Sequence, residues 1–298
     1  MSVLKYIVKA GTTALGALLL MAPIQVVFAG DYPSAPVQVT VAYGPGGATD
    51  FQARIVTMMA GKEKYLNMPI VIFNKPGAGE SIVFDDTKYN IDNLEPIANW
   101  GADPAVLIAP KDSPFNSIAD VVAYAKANPG TITVSGAGLY VGHHIAHLQF
   151  ERAADIKLKY IPAGGGVKAM KMVLGNQVMA GFNNLSDAYR QGDRIKVLGV
   201  ADNQREEMFL PDVPTFKEQG IDVDDSSVNF RGIMARKGTS QEVIDFLAER
   251  VHLMFQDKKV AKKMKAGGSP LRIMTRDEVL AMWAERQPYL EDLLKGLD

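Results

Sequence analysis

The 298-residue chain contains no cysteine. That excludes a disulfide framework, a thiolate metal site, a cysteine nucleophile and a lipid-bearing N-terminal cysteine. An excess of either charge is missing too: 32 Lys and Arg stand against 33 Asp and Glu, for a net charge of −1. Nothing in that balance favours nucleic acid or an anionic membrane surface. After residue 29 no stretch approaches the about 20 consecutive apolar residues of a membrane-spanning helix. Internal repeats, low-complexity tracts and a Gly-x-Ser-x-Gly nucleophile elbow are likewise lacking. The fold must therefore rest on its apolar core, and residues 30–298 suffice for one divided between two lobes.

The start of the chain reads as an export signal. Lys5 and Lys9 precede a mostly apolar run from Ala10 to Val27, and Val27-Phe28-Ala29 offers a small-residue cleavage site before Gly30. The mature protein is expected in the periplasm.

What the chain has in quantity is glycine at strand-to-helix corners. Val37, Val39 and Val41 share one face at period two, while Phe51, Ile55, Met58 and Met59 share one side of a helix. Between them lies Gly44-Pro45-Gly46-Gly47-Ala48-Thr49-Asp50, with Thr49 as the expected N-cap. A helix start carries unpaired N–H groups and the positive end of the dipole, so such a corner suits an anion such as a carboxylate. Three more corners follow. Ile70 to Phe73 leads to Gly77-Ala78-Gly79, with Lys75 beside it. Thr131 to Val134 leads to Ser135, Gly138 and Tyr140 before a helix from His143 that includes His144, and Lys157 to Ile161 leads to Ala163-Gly164-Gly165. Asn183 closes a strand around Val178 to Phe182, in a turn with Asn184 and Asp187. Helices are expected from Ser117 (or Asn116) to Asn128, from Gln241 to Phe255 after Ser240, from Asp257 to Ala266 and from Thr275 to Leu294, where Thr275 and Glu278 have capping-box spacing. This alternation predicts an α/β architecture with parallel sheets and a ligand beyond the carboxyl ends of the strands.

Other chemistries fit less well. Gly136-x-Gly138-x-x-x-Gly142 lacks the acidic residue that a dinucleotide ribose needs after the next strand, so no cofactor is expected. His143 and His147 are an i,i+4 pair, but no cysteine and no obvious third ligand accompany them, and no metal is expected. Asp222, Asp224 and Asp225 lack calcium-loop spacing.

The motifs taken together resemble the extracytoplasmic solute receptors of the tripartite tricarboxylate transporter family, also called Bug receptors. The resemblance rests on Tyr32-Pro33, Pro45-Gly46-Gly47-x-Thr49-Asp50 with Ala53-Arg54, Asn74-Lys75-Pro76-Gly77-Ala78-Gly79, Ala125-Lys126-Ala127-Asn128-Pro129-Gly130 and His144-Ile145-Ala146. Ile161-Pro162 with Gly164-Gly165, and Leu198-Gly199-Val200 through Arg205 to Pro211-Asp212-Val213-Pro214-Thr215-Phe216, extend it almost end to end. It implies a type II periplasmic-binding-protein fold, two lobes of mostly parallel sheet flanked by helices. One lobe comprises residues 30–110 with 232–298, the other 111–231, with crossings near Pro110 to Ser113 and Asn229 to Gly232. The implied function is capture of a small organic acid for integral-membrane permease subunits, by a monomer without catalysis. The implied ligand contacts are Gly46, Gly47, Ala48, Thr49, Asp50, Gly77, Ala78, Gly79, Ser135, Gly138, Tyr140, His144, Ala163, Gly164, Gly165 and Asn183.

Three departures stand out. Ala42 replaces a usual proline, and Val141 or Gly142 replaces a usual hydroxyl residue. The chain also passes from Glu80-Ser81-Ile82 almost directly to Tyr89-Asn90-Ile91-Asp92, where the family has a further helix and strand. That shortening implies a reduced first sheet. A periplasmic enzyme built on His143, His144 and His147, or a receptor that has lost binding, are the alternatives.

Overall fold

The computed structural model describes residues 32–76 and 93–295. The expected leader, the Gly77-Ala78-Gly79 corner and the shortened link lie outside the described residues.

Two sets of sheets divide the chain. Strand β4 (Ala105–Pro110) is buried at all six residues and lies at the heart of a five-stranded sheet ordered β6-β5-β7-β4-β8, with β5 (Thr133–Gly136), β6 (Lys159–Pro162), β7 (Ala180–Asn184) and β8 (Ile195–Ala201). β5 is parallel to β6 and β7, and β4 alone runs against its neighbours. The other half holds β1 (Val37–Val41) parallel to β2 (Ile70–Asn74), and a three-stranded sheet in which β3 (Leu94–Asp103) lies between β10 (Leu271–Met274) and β9 (Asn229–Arg236). Among the described residues β1 and β2 are a sheet of their own. β3 and β4 are joined at Pro104 and pair in different sheets. The apolar run Ala105 to Ala109 suits the centre of either sheet, and only its pairing with β7 and β8 assigns it.

Helices cover both sets. α2 (Ile118–Ala127) starts at a capping box in which Ser117 and Asp120 satisfy each other's N–H groups, and it buries Ile118, Val121 and Ala125. α3 (Gly142–Ala154), α4 (Gly166–Leu174) and α5 (Leu185–Gln191) complete the half built on β4. Its core joins Leu107, Phe150, Phe182 and Phe216, with ring centroids 5.1 Å apart for Phe150 and Phe216. Each such side chain contributes about 1.5–3 kcal/mol by leaving water. Around β3, α1 (Ala48–Thr57), α6 (Gln241–Phe255) and α7 (Lys258–Ala266) bury Val56, Ile97, Trp100, Val251, Phe255 and Met264 in a separate core. α8 (Arg276–Leu294) begins at the expected Thr275–Glu278 capping box and spans both halves. Its Arg276 pairs with Glu95, its Tyr289 hydroxyl accepts from Gln149 of α3, and Leu293 packs with Ile145.

Several local expectations are corrected. α1 begins at Gly47 rather than Thr49, and it buries Ala48, Gln52, Ala53 and Val56, while Met58 is exposed. Buried polar partners draw Gln52 inward and turn the helix. Asn184 starts a helix, α5, where a turn was expected, and the tail holds the short strand β10. Ser240 precedes α6 without a side-chain capping bond.

Candidate functional site

Two helix starts face each other between the halves. At the first, the Gly46 N–H donates to Asp50 Oδ2 at 2.9 Å, and Asp50 Oδ1 accepts from Arg54 and Asn74, so Asp50 braces the corner from behind. Burial pushes the Asp50 carboxyl up, but these hydrogen bonds and the Arg54 charge outweigh it and hold the group below the usual carboxylate range. Phe51 N–H is the first to bond back into the helix, to Gly47 O. The N–H groups of Gly47, Ala48, Thr49 and Asp50 have no partner among the described residues.

At the second, Gly165 has φ +134°, a conformation that side-chain-bearing residues rarely adopt, and it lets the chain enter α4 abruptly. Ala163 and Gly165 N–H groups are tied to Gly136 O and Ala137 O, while those of Gly166, Val167 and Lys168 are unpartnered among the described residues. Asn183 supports this turn by donating to Gly166 O, and Asp187 and Asn184 stand behind it. A side-chain carbon at Gly47 would sit 3.5 Å from Val167 Cγ2, which places the two helix starts against each other.

The third corner is filled from within. A Cβ at Gly142 would fall 2.4 Å from Ser227 O, so only glycine permits the chain before β9 to cover the start of α3. Ser135 is fully buried and donates to Ala169 O, pinning β5 to α4. Gly138 O accepts from the Tyr160 hydroxyl, and the Tyr140 N–H donates to His144 Nδ1. His143 Nδ1 accepts from Ala137 N–H, which leaves its Nε2 to face Asn184 Oδ1 at 3.3 Å. Burial lowers His143 and His144 to about 4 and His147 to about 3, so all three are neutral at pH 7. His144 and His147 pack against the Tyr160 ring. Among the described residues no set of three His, Cys, Asp or Glu side chains is placed to hold a metal.

Beneath both helix starts lies a polar cluster that sequence reasoning missed. Asp103, fully buried at the end of β3, accepts from Arg231 Nη1 at 2.7 Å, Gln52 Nε2 at 3.0 Å, and the N–H and hydroxyl of Ser186. Arg231 also donates through Nε to the Thr49 hydroxyl at 3.1 Å. The only signal in the sequence was a charge inside an apolar strand, Phe230-Arg231-Gly232-Ile233, and an aspartate before Pro104.

Comparison with known proteins bears on this geometry. The model for the tripartite tricarboxylate transporter family receptor matches residues 81–285. The UPF0065 protein of the gbd 5′ region in Cupriavidus necator is 30% identical over 268 residues, covering 80% of each chain. Among solved structures, the periplasmic binding protein BugD superimposes with a TM-score of 0.78 at 25% identity, over 89% of this chain and 98% of that one. MatC from Rhodopseudomonas palustris, solved with bound malate, has the same fold, with a TM-score of 0.77 at 21% identity over 89% of this chain and 100% of that one.

Proposed function

Because this chain belongs to the family of tripartite tricarboxylate transporter receptors, we propose that it is a periplasmic binding protein for a small carboxylated metabolite, which it delivers to membrane-embedded permease subunits. The observation that carries the reading is the pair of facing helix starts, whose N–H groups at Gly47 to Asp50 on one side and Gly166 to Lys168 on the other have no partner among the described residues. Each offers a carboxylate several donors and a favourable dipole, and Lys168 Nζ beside Gly164 adds a positive charge at the second, so a dicarboxylate can be held at both ends. The two halves act as lobes that close on the ligand about the strands joining them. Gly46, Ala163, Gly164, Gly165 and Asn183 shape the turns; Ser135, Gly138, Tyr140 and His144 belong to the packing of the third corner. Among the described residues no helix is long and apolar enough to cross a membrane.

Calorimetry and thermal shift with L-malate, adipate and citrate test the reading. At least one acid should raise the melting temperature with its concentration, without turnover. Gly47→Val, whose backbone angles suit valine, should weaken that acid about tenfold or more by blocking approach to the N–H groups, since each charge-assisted bond is worth about 1.5–3 kcal/mol. Removing the exposed, screened charge in Lys75→Ala should cost far less. The assignment of the first corner fails if Lys75→Ala abolishes binding and Gly47→Val, folded, binds normally.

A further inference from the structure

We propose that Arg231 is a positioning residue for the ligand carboxylate, acting through the Thr49 hydroxyl, and that Asp103 makes this positioning depend on the packing of both lobes. The inference rests on the reading of the cleft as a carboxylate site.

A hydroxyl has one proton and two lone pairs. Thr49 Oγ1 spends a lone pair on Arg231 Nε, and among the described residues nothing accepts its proton. That proton is available to a ligand lying beside the N–H groups of Gly47 to Asp50. Donation from a guanidinium polarises the hydroxyl and strengthens it as a donor. Arginine does so at any pH the protein meets, because it does not deprotonate.

Arg231 is itself held. Its side chain is only 5% exposed, and a buried guanidinium needs a buried counter-charge, which Asp103 supplies from the other crossing strand. Asp103 is shared: Gln52 reaches it from α1, Arg231 from β9 and Ser186 from the start of α5. Beside Ser186, Asp187 and Asn184 stand behind Gly166 at the facing helix start. The aim of the Thr49 hydroxyl thus follows from contacts on both sides of the cleft. A ligand that accepts its proton favours the arrangement in which those contacts are all made.

The test is a double-mutant cycle on L-malate, adipate and citrate affinity, with the ligand-free melting temperature measured beside it. Thr49→Val removes the hydroxyl but keeps the shape. Arg231→Lys keeps the charge but cannot serve Asp103 and Thr49 together. Each should weaken the bound acid about tenfold, and the double variant should bind no worse than either alone, because both remove the same interaction. Thr49→Ser, which restores the hydroxyl, should recover most of the affinity lost in Thr49→Val. If Arg231→Lys does not fold, the neutral pair Asp103→Asn/Arg231→Gln replaces it in the cycle with the same expectation. A purely structural role for Arg231 predicts a lower ligand-free melting temperature and affinity losses that add; additive losses, or wild-type affinity in Arg231→Lys, overturn the inference alone. If wild-type protein binds none of the three acids, the carboxylate reading falls and takes this inference with it.

Discussion

His143, His144 and His147 invite a catalytic or metal-binding reading from spacing alone, and the fold buries all three. His144 and His147 stack at 6.1 Å and both lean on Tyr160, while Glu151 lies 3.7 Å from His147 Nε2. Burial is the leading cause that lowers all three, opposed at His143 by Asn184 and Asp103 and reinforced at His147 by His144 and Lys157. An unfolded histidine titrates near 6.5. Between that pH and about 4 the unfolded chain binds more protons than the folded one, so stability is complete above pH 7 and is lost as pH falls through 6.5. Each histidine contributes up to about 1.4 kcal/mol per pH unit across the window. Urea unfolding at pH 7, 6 and 5 should show this decline, with a shallower slope in His147→Phe. A flat profile from pH 7 to 5 would contradict the buried, neutral state.

Elements differ in how firmly their neighbours hold them. β5 lies inside a five-stranded sheet between β6 and β7, whereas β1 pairs among the described residues with β2 alone. β2 also leaves Val71 and Phe73, at 39% and 45% exposure, on its outer face. A two-stranded pair is marginal without packing, and here the packing comes from one face, through Val37, Val41, Ile70 and Ile72. Amides of Val37 to Val41 should therefore exchange faster than those of Thr133 to Gly136 by native-state hydrogen exchange. Equal protection would mean that the reduced first sheet implied by the short link carries no cost in stability.

For the whole molecule, side-chain contacts join elements of the two halves. Arg190 of α5 donates to Gly267 O at 3.1 Å and lies 4.8 Å over the Phe51 ring, while its other end pairs with Asp187 behind the α4 turn. Those are links across the cleft rather than within a core. Arg190→Ala should leave the ligand-free melting temperature within a few degrees of wild type, weaken L-malate, adipate or citrate several-fold and shift solution scattering toward a more open shape at equal ligand concentration. An unchanged profile with unchanged affinity would show that closure does not use this contact.

Local pattern was enough for the order of elements. Alternating Val37, Val39 and Val41, the glycine corners, the Ser117 and Thr275 caps and the long tail helices are each specified by residues within a few positions of one another. The same nearness made the family legible, since its motifs are short stretches at turns. What those stretches do was not legible. Of four similar corners, two face each other with N–H groups unpartnered among the described residues, one is filled by histidines and the chain before β9, and the fourth lies outside the described residues. Three-dimensional packing made that distinction. The Asp103 cluster is the clearest case: Arg231 is 128 positions from Asp103 and 182 from Thr49. No spacing rule links residues so far apart, and their pairing exists only because two crossing strands and two helices from different halves meet at one buried point.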